Sequence, residues 1–237
     1  MPDDTVTIVV PDALQPLMFR SRRASRVTVT RDGTSTLWHV VGALGIPPTE
    51  VRGMKVEGQP VDPAQPPPSG AVIELLPRER PQPAAAAAAR FLLDVHLGTL
   101  ARRLRILGVD AAWTNDASDV DLVARAAAER RVLLTRDRGL LMRRALPDGA
   151  YVRGDRPDDQ LDDVLDRFAP PLAPWTRCPA CNGELEVVAK SAIQHELQPG
   201  TRRSYHNFSR CRTCSRVYWA GAHHQRLSRI VARYVPG

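Results

Sequence analysis

The sequence lacks the features that direct a chain into or across a membrane. No apolar run approaches the roughly eighteen residues of a membrane-spanning helix, so we expect no segment that crosses a bilayer. The N-terminal MPDDTVTIVV begins with acids and lacks the basic, apolar and small-residue order of a signal peptide. We therefore expect a cytoplasmic protein whose thiols are reduced.

The chain also has few lysines, since only Lys55 and Lys190 stand among 33 basic residues. The excess of arginine, alanine and proline is typical of a GC-rich genome, which weakens arguments from any individual arginine. The net charge of +7 lies in the tail: bases and acids balance in residues 1–89 and 90–169, whereas ten Lys and Arg face three Asp and Glu in 170–237. Such a tail favours contact with phosphate backbones, although charge that only maintains solubility is the alternative.

Two proline-rich stretches divide the chain, whose 237 residues leave room for two or three small domains. RERPQPAAAAAA, at 78–89, is typical of a linker. APPLAPW, at 169–175, is poor material for a helix or a central strand. We predict a first domain at 1–78, a linker at 79–89, a middle domain at 90–169 and a tail domain at 170–237.

The first domain has strand-like alternation on both sides of one helical segment. The pattern predicts strands at 6–10, 26–30, 51–58 and 71–77, and a helix at 35–45 closed by Gly45. This β-β-α-β-β order, with a tight turn near Gly58, resembles the β-grasp fold of ubiquitin and of small sulfur-carrier proteins. Those carriers end in a free Gly-Gly tail, whereas the last strand here runs into PRERP, so we expect no conjugation chemistry. We interpret the domain as a docking or substrate-guiding element with a possible protein partner; a purely structural role is the alternative.

Four strand-like segments of the middle domain each end at an aspartate, namely Asp94, Asp116, Asp137 and Asp155. The segments LGTLARRLRILG and DVDLVARAAAERR between them have helical spacing, with Gly108 suited to end the first helix and Asp119 to cap the second. This β-α-β-α-β order predicts parallel strands, because short crossover helices return the chain to the same edge of the sheet. We therefore expect an α/β fold with a parallel sheet flanked by helices.

Ligands of an open parallel sheet bind beyond the carboxyl ends of its strands, where these aspartates would lie. Clustered carboxylates repel one another and favour Mg²⁺ or Mn²⁺, ions that activate water and stabilise the charge on an attacked phosphate. Asp94 and Asp137 are the strongest candidates, because a carboxylate directly after buried strand residues is poorly hydrated without a partner. Asp119 and Asp155 have simpler explanations, as a helix cap and as a residue of a solvated turn.

These segments together resemble the Mut-seven C-terminal RNase family, a branch of the PIN-like nucleases. The resemblance covers about residues 90–225 and rests on D-x-x-L-G, L-R-x-L-G, T-R-D-R and paired Cys motifs; a β-grasp domain in front is known in bacterial members. It implies hydrolysis of single-stranded RNA with Mg²⁺ or Mn²⁺ held by three or four acids. By this resemblance Asp94 is the first acid, Asp137 the acid of the T-x-D element, and Asp119 or Asp121 the acid on the second helix. Asp116 and Asp155 are further candidates for metal binding, and the fourth acid is not clearly matched.

The tail domain contains all four cysteines as C-P-A-C and C-R-T-C, separated by 29 residues. Two such knuckles, followed by the strand-like VYW at 217–219, predict a tetrahedral zinc ribbon whose ligands are Cys178, Cys181, Cys211 and Cys214. Two disulfides or unrelated thiols are the alternative. Because four thiolates leave no coordination position for water, we expect this zinc to be structural.

The leading hypothesis is therefore an endoribonuclease whose middle domain cleaves RNA and whose basic, aromatic tail positions it. A non-catalytic RNA-binding or adaptor protein with a degenerate PIN-like domain is the alternative, and a toxin component is disfavoured by the two added domains. Five arginines flank the predicted aspartate site and either contact phosphate or neutralise the acids: Arg102, Arg103, Arg105, Arg136 and Arg138.

Overall fold

The computed structural model of the protein describes residues 4–82 and 90–235. Residues 83–89 of the predicted linker lie outside this range. Contacts between residues divide the chain into two units, Met1–Gln82 with Ser118–Arg153, and Pro83–Ala117 with Gly154–Gly237. None of the helices in the described part combines the length and the apolar character needed to span a bilayer.

The described residues form both strands and helices. The strands are β1 Thr5–Val9, β2 Arg26–Thr30, β3 Val51–Val56, β4 Gln59–Pro60, β5 Val72–Pro77, β6 Phe91–Leu93, β7 Ala111–Trp113, β8 Val132–Thr135, β9 Gly149–Tyr151, β10 Leu185–Val188, β11 Phe208–Cys211 and β12 Val217–Trp219. The α-helices are α1 Leu37–Gly42, α2 Gly98–Ile106, α3 Asp119–Glu129, α4 Arg138–Leu141, α5 Pro157–Phe168, α6 Lys190–Ile193, α7 Pro199–Ser204 and α8 Ala222–Tyr234. Short 3-10 helices lie at Gln15–Leu17, Arg20–Arg22, Pro48–Glu50 and Val95–Leu97.

The first five strands form one mixed sheet in the order β2-β1-β5-β3-β4. β1 runs antiparallel to β2 and parallel to β5, and α1 begins where the hydroxyl of Thr36 accepts a hydrogen bond from His39 N (3.3 Å). Apolar side chains of β1, α1 and β5, among them Ile8, Val41 and Ile73, are fully buried between the sheet and the helix. The β-β-α-β-β prediction is confirmed, and β4 is an additional short strand.

The middle of the chain contains parallel strands, as predicted. β6 pairs with β7 and β8 pairs with β9, and both pairs are parallel. Helix α2 packs on β7, and α3 and α4 pack on β8. The prediction of a parallel sheet flanked by helices is confirmed.

Helix α3 begins one residue earlier than the pattern predicts. The N-cap is Ser118, whose hydroxyl accepts a hydrogen bond from Asp121 N (3.2 Å), while the Asp121 carboxylate accepts one from Ser118 N (3.3 Å). This reciprocal capping box satisfies two backbone donors at once. The prediction that Asp119 is the N-cap is therefore wrong, since Asp119 is already the first residue of the helix.

Helix α2 ends at a glycine that no other residue can replace without strain. Gly108 has φ of +84°, and a Cβ atom added to it would lie 2.0 Å from the carbonyl oxygen of Ala173. The irregular segment that contains Ala173 donates hydrogen bonds to the last carbonyls of α2, from Ala173 N to Leu107 O (2.9 Å) and from Trp175 N to Ile106 O (3.0 Å). The proline-rich break predicted at 169–175 therefore covers the end of a helix.

The N-terminal sheet domain docks onto the strand and helix that follow residue 137. Glu50, only 2% exposed, accepts a hydrogen bond from Tyr151 N (2.8 Å) at the end of β9. The Arg138 guanidinium donates to Leu17 O (2.5 Å) and lies 5.0 Å from the centre of the Phe19 ring. This face of the N-terminal domain therefore binds a later segment of the same chain.

We expect Glu50→Ala to destabilise the protein, because the substitution leaves the partly buried Tyr151 N–H without its acceptor. The expected loss is about 1–3 kcal/mol in the free energy of unfolding, measured by urea denaturation. Glu74→Ala removes an exposed carboxylate from β5 and is the matched control, with an expected change within about 0.5 kcal/mol. Equal losses in both variants would show that the buried contact does not stabilise the docked domain.

Antiparallel strands form the sheet of the tail, in the order β10-β11-β12. Phe208 is buried in it, and Trp219 opposite Phe208 is 39% exposed. Helix α8, which no predicted element covers, is joined to α5 because Arg233 and the Tyr234 hydroxyl both bind Asp162 (2.5 and 2.6 Å).

Candidate active site and metal centre

The four cysteines lie together in the tail. Their sulfur atoms are all within 4.8 Å of one another, with 3.7 Å between the sulfurs of Cys178 and Cys214 and 3.4 Å between those of Cys181 and Cys211. Four sulfurs at a tetrahedral Zn²⁺, each about 2.3 Å from the ion, would be about 3.8 Å apart. The cluster has the size of a metal site and is compatible with a zinc ribbon.

Both knuckles use the same backbone turn. Cys178 N donates to Gly183 O (2.7 Å) and Asn182 N to Cys178 O (2.9 Å), and Cys211 N and Ser215 N make the equivalent bonds in the second knuckle (both 3.0 Å). Asn182 and Ser215 both adopt positive φ, at 71° and 59°. Two turns of one geometry present the two cysteine pairs to a common point, as tetrahedral coordination requires.

The thiols of the cluster differ in pKa. Burial acts to raise the pKa of Cys211, but hydrogen bonds from the N–H groups of Cys214 and Thr213 outweigh it and lower the pKa to about 7. Burial and the neighbouring thiols raise the pKa of Cys181 to about 12. Four negative sulfurs at this spacing need a cation between them, so the donor set fits a soft divalent metal.

Two side chains connect the cluster to the rest of its unit. Arg105, 3% exposed on α2, donates from Nε to Ala111 O (2.7 Å) and from one terminal nitrogen to the knuckle carbonyls of Pro179 (3.2 Å) and Ala180 (2.9 Å). The Tyr218 hydroxyl lies 3.0 Å from the Cys178 sulfur, and its burial raises the pKa of the phenol. The knuckle is therefore fixed against α2 and β7.

Asp94 follows directly on β6 and is 6% exposed. One carboxylate oxygen accepts a hydrogen bond from Val95 N (2.6 Å), which caps the short helix Val95–Leu97, and the other lies 3.5 Å from the His96 ring nitrogen. His96 is thus a local partner of Asp94. The carboxylate is buried at the carboxyl end of a parallel strand, as predicted.

Asp137 caps α4 two residues after β8. Its Oδ1 accepts hydrogen bonds from Gly139 N (2.7 Å) and Leu140 N (3.3 Å), and its own N–H donates to the Thr135 hydroxyl (2.9 Å). Its carboxylate is exposed, which the position after a buried strand did not predict, because Arg136 separates the aspartate from the buried residues. Within the described residues, Oδ2 has no hydrogen-bond partner.

Asp119 and Asp121 occupy the first turn of α3. Asp119 forms an ion pair with Arg143 (3.0 Å) on the exposed surface. The hydroxyl and backbone N–H of Ser118 donate to Asp121 and lower the pKa of its carboxyl. One acid is thus ion-paired and the other is part of the capping box.

Asp116 and Asp155 are exposed in irregular segments, after β7 and before α5 respectively. Asp155 follows Gly154, which has φ of +90°. The description of Asp155 as a residue of a solvent-facing bend agrees with this placement.

Comparison with protein families gives two matches that together cover most of the chain. The model of the Mut7-C RNAse domain matches residues 89–231, which is more than half of the sequence. The chain belongs to the Mut7-C RNAse domain family. A second model, Mut7-C ubiquitin, matches residues 4–83 in front of it. No curated protein and no solved structure gives a significant match.

The Mut7-C RNAse match supports a ribonuclease-type function and confirms the predicted family. The Mut7-C ubiquitin match confirms that a ubiquitin-like domain precedes the RNase domain. Neither match assigns a role to an individual residue, so the roles of the six aspartates stay predictions.

The structure separates the arginines of the Mut7-C RNAse domain by their contacts. Arg103 forms an ion pair with Asp158 (2.5 Å), and Arg105 and Arg138 bind backbone carbonyls. These three have structural partners. Arg102 is exposed and has no ion pair among the residues that the structure describes.

Proposed function

We propose that this chain is a divalent-metal-dependent endoribonuclease that hydrolyses single-stranded RNA. The observation that carries the proposal is Asp94, a buried carboxylate at the carboxyl end of a parallel strand in a Mut7-C RNAse domain. The carboxyl end of a parallel strand is where α/β sheets bind ligands.

We further propose that Asp94 and Asp137 hold Mg²⁺ or Mn²⁺ together with Asp119 or Asp121, and that Asp116 and Asp155 are additional metal-binding acids. Oxygen donors of this kind suit both ions. Backbone N–H groups fix one carboxylate oxygen in Asp94 and one in Asp137. The orientation of each carboxylate is therefore set before a ligand arrives, and in Asp137 the second oxygen is left for a ligand.

The bound ion would activate the attacking water and stabilise the charge that develops on the phosphate. The protein's own part is to orient the carboxylates and to hold the RNA. His96, beside Asp94, supports that carboxylate from the exposed side, since its side chain is 47% exposed.

We propose Zn²⁺ as the metal of the cysteine cluster, with a structural role. The close spacing of the four sulfurs and the paired knuckles support this choice, and four thiolates leave no position for a reacting water. A reducing, cytoplasmic location, where thiols stay available to a metal, is part of the same proposal. We also propose domain bounds of 1–78, 90–169 and 170–237. The ubiquitin-like domain is proposed to bind a protein partner.

Cleavage of RNA by the zinc-loaded protein tests the proposal. We expect Mg²⁺ or Mn²⁺ to accelerate cleavage of a circular single-stranded RNA at least about a hundredfold over protein dialysed free of added divalent ions. A circular substrate has no ends, so its cleavage shows endonuclease action, and the matching duplex is the control. Binding of RNA without cleavage in either ion would instead support the non-catalytic adaptor.

A further inference from the structure

A cleft of about 660 Å³ lies between α2 and the two cysteine knuckles. Its volume is within the range of about 300–1,000 Å³ of pockets that hold ligands of drug size. No acidic residue is among those that line it. The residues that line the cleft include Gly98, Thr99, Arg102, Trp113, Arg216 and Tyr218.

The cleft has two arginines that are available to a ligand. Arg102 on α2 and Arg216 after the second knuckle are exposed, and neither has an ion pair within the described residues. Neighbouring arginines of the tail differ, since Arg210 is paired with Glu196 and Arg212 with Glu184 and Glu186. Two unpaired guanidinium groups on one cleft attract an anion with more than one charge.

Two aromatic rings line the same cleft, and each is held by its polar end. Trp113 donates from Nε1 to Val95 O (3.0 Å), and the Tyr218 hydroxyl is fixed at the Cys178 sulfur. Both rings remain partly exposed. Rings whose polar atoms are already satisfied present their faces and edges to a ligand, and bases stack on such rings.

A glycine allows the Trp113 ring to lie against the first turn of α2. A Cβ atom added to Gly98 would lie 2.6 Å from the ring, so any other residue would displace it. Val95, which accepts the Trp113 hydrogen bond, directly follows Asp94. The wall of the cleft is therefore fixed to the segment that begins at the first proposed catalytic acid.

We propose that this cleft binds a short stretch of the single-stranded RNA substrate. Arg102 and Arg216 contact its phosphates, and the Trp113 and Tyr218 rings stack on its bases. Combined phosphate charge and base stacking is the chemistry of single-strand recognition, whereas the bases of a duplex are already stacked on each other. The proposal rests on the proposed function in one respect, that RNA is the substrate.

The test measures binding without cleavage. The parent is an Asp94→Asn variant with zinc bound and no added Mg²⁺ or Mn²⁺, and the probe is a short fluorescent single-stranded RNA. In this background, Arg102→Ala with Arg216→Ala is expected to raise Kd about 10- to 100-fold. The slope of log Kd against log salt is expected to fall by about 1.4, as two lost phosphate contacts require.

Arg202→Ala with Arg203→Ala is the matched control, because it removes the same charge from two exposed residues of α7 that do not line the cleft. We expect a change in Kd of less than about threefold, from the general loss of charge alone. RNA binding is also expected to quench tryptophan fluorescence, and Trp113→Phe, which keeps a ring on Gly98, is expected to remove that quenching.

Three results would overturn the proposal that the cleft binds RNA. They are equal losses of RNA affinity in the cleft and control variants, no binding of RNA, or a free mononucleotide that binds as tightly as the RNA. Cleavage by the wild-type chain is scored separately. Failure of cleavage with binding that depends on Arg102 and Arg216 would reject the endonuclease and retain the cleft. Cleavage with an unchanged KM in the Arg102, Arg216 double variant would reject the cleft and retain the endonuclease.

Discussion

Replacing Asp94 and Asp137 together by asparagine is expected to abolish RNA cleavage while RNA binding persists. Asparagine has the same shape as aspartate, and its carbonyl oxygen can still accept the backbone hydrogen bonds that both residues receive. The two negative charges that would hold a divalent ion are lost. Because the ion contributes several kcal/mol of transition-state stabilisation, we expect the rate to fall at least about a thousandfold.

The measurement is single-turnover cleavage of a labelled single-stranded RNA in Mn²⁺, with binding followed in the absence of added metal. Asp12→Asn with Asp62→Asn is the matched control, since it makes the same change of charge in the ubiquitin-like domain. The control is expected to cleave at the wild-type rate. Unaltered cleavage by the Asp94, Asp137 variant would reject the proposed acids while leaving the family assignment intact.

Local patterns predicted most of the elements well. β2 and β12 have the predicted bounds, because alternation and the knuckle that precedes β12 are local features. The cap of α3 was readable too, since Ser118 stands three residues before Asp121, and S-x-x-D before an apolar run is a capping-box signature. Helix α8 was missed although its apolar residues Leu227, Ile230 and Val231 keep helical spacing.

Contacts between distant parts of the sequence were not predictable. Arg105 was expected either to contact phosphate or to neutralise the acids, but the knuckle carbonyls it binds belong to Pro179 and Ala180, far along the chain. The same limit applies to the cleft, because no local pattern relates Trp113 to Arg216. The exposure of Asp137 was not predicted either. Arg136 stands between it and the last buried residue of β8, so the carboxylate lies outside the buried layer.

Loss of the proposed zinc ion from the cysteine cluster is expected to unfold the tail. Strands β10, β11 and β12 are three to four residues long, and Val187 on β10 is 88% exposed, so the sheet buries too little apolar surface to be stable alone. Structural zinc sites contribute about 10–16 kcal/mol of apparent binding free energy at neutral pH, all of it coupled to folding. The free energy of zinc binding that is lost with one sulfur ligand is therefore expected to exceed the free energy of unfolding of the tail.

Cys211→Ser is the variant of choice, because Cys211 is buried and is the thiol whose pKa is lowered to about 7. We expect its zinc content to fall from one ion per chain toward none, with loss of the tail's thermal transition in calorimetry. Thr213→Ser, which alters a residue between the two cysteines of the same knuckle without removing a sulfur, is expected to keep both.

The loss should also affect the proposed RNA cleft, because Tyr218 and Arg216 line it and the Tyr218 hydroxyl lies at the Cys178 sulfur. RNA affinity is therefore expected to fall in Cys211→Ser by at least as much as in the Arg102, Arg216 double variant. A folded tail that keeps its RNA affinity without zinc would show that the sulfur cluster is not what positions the cleft.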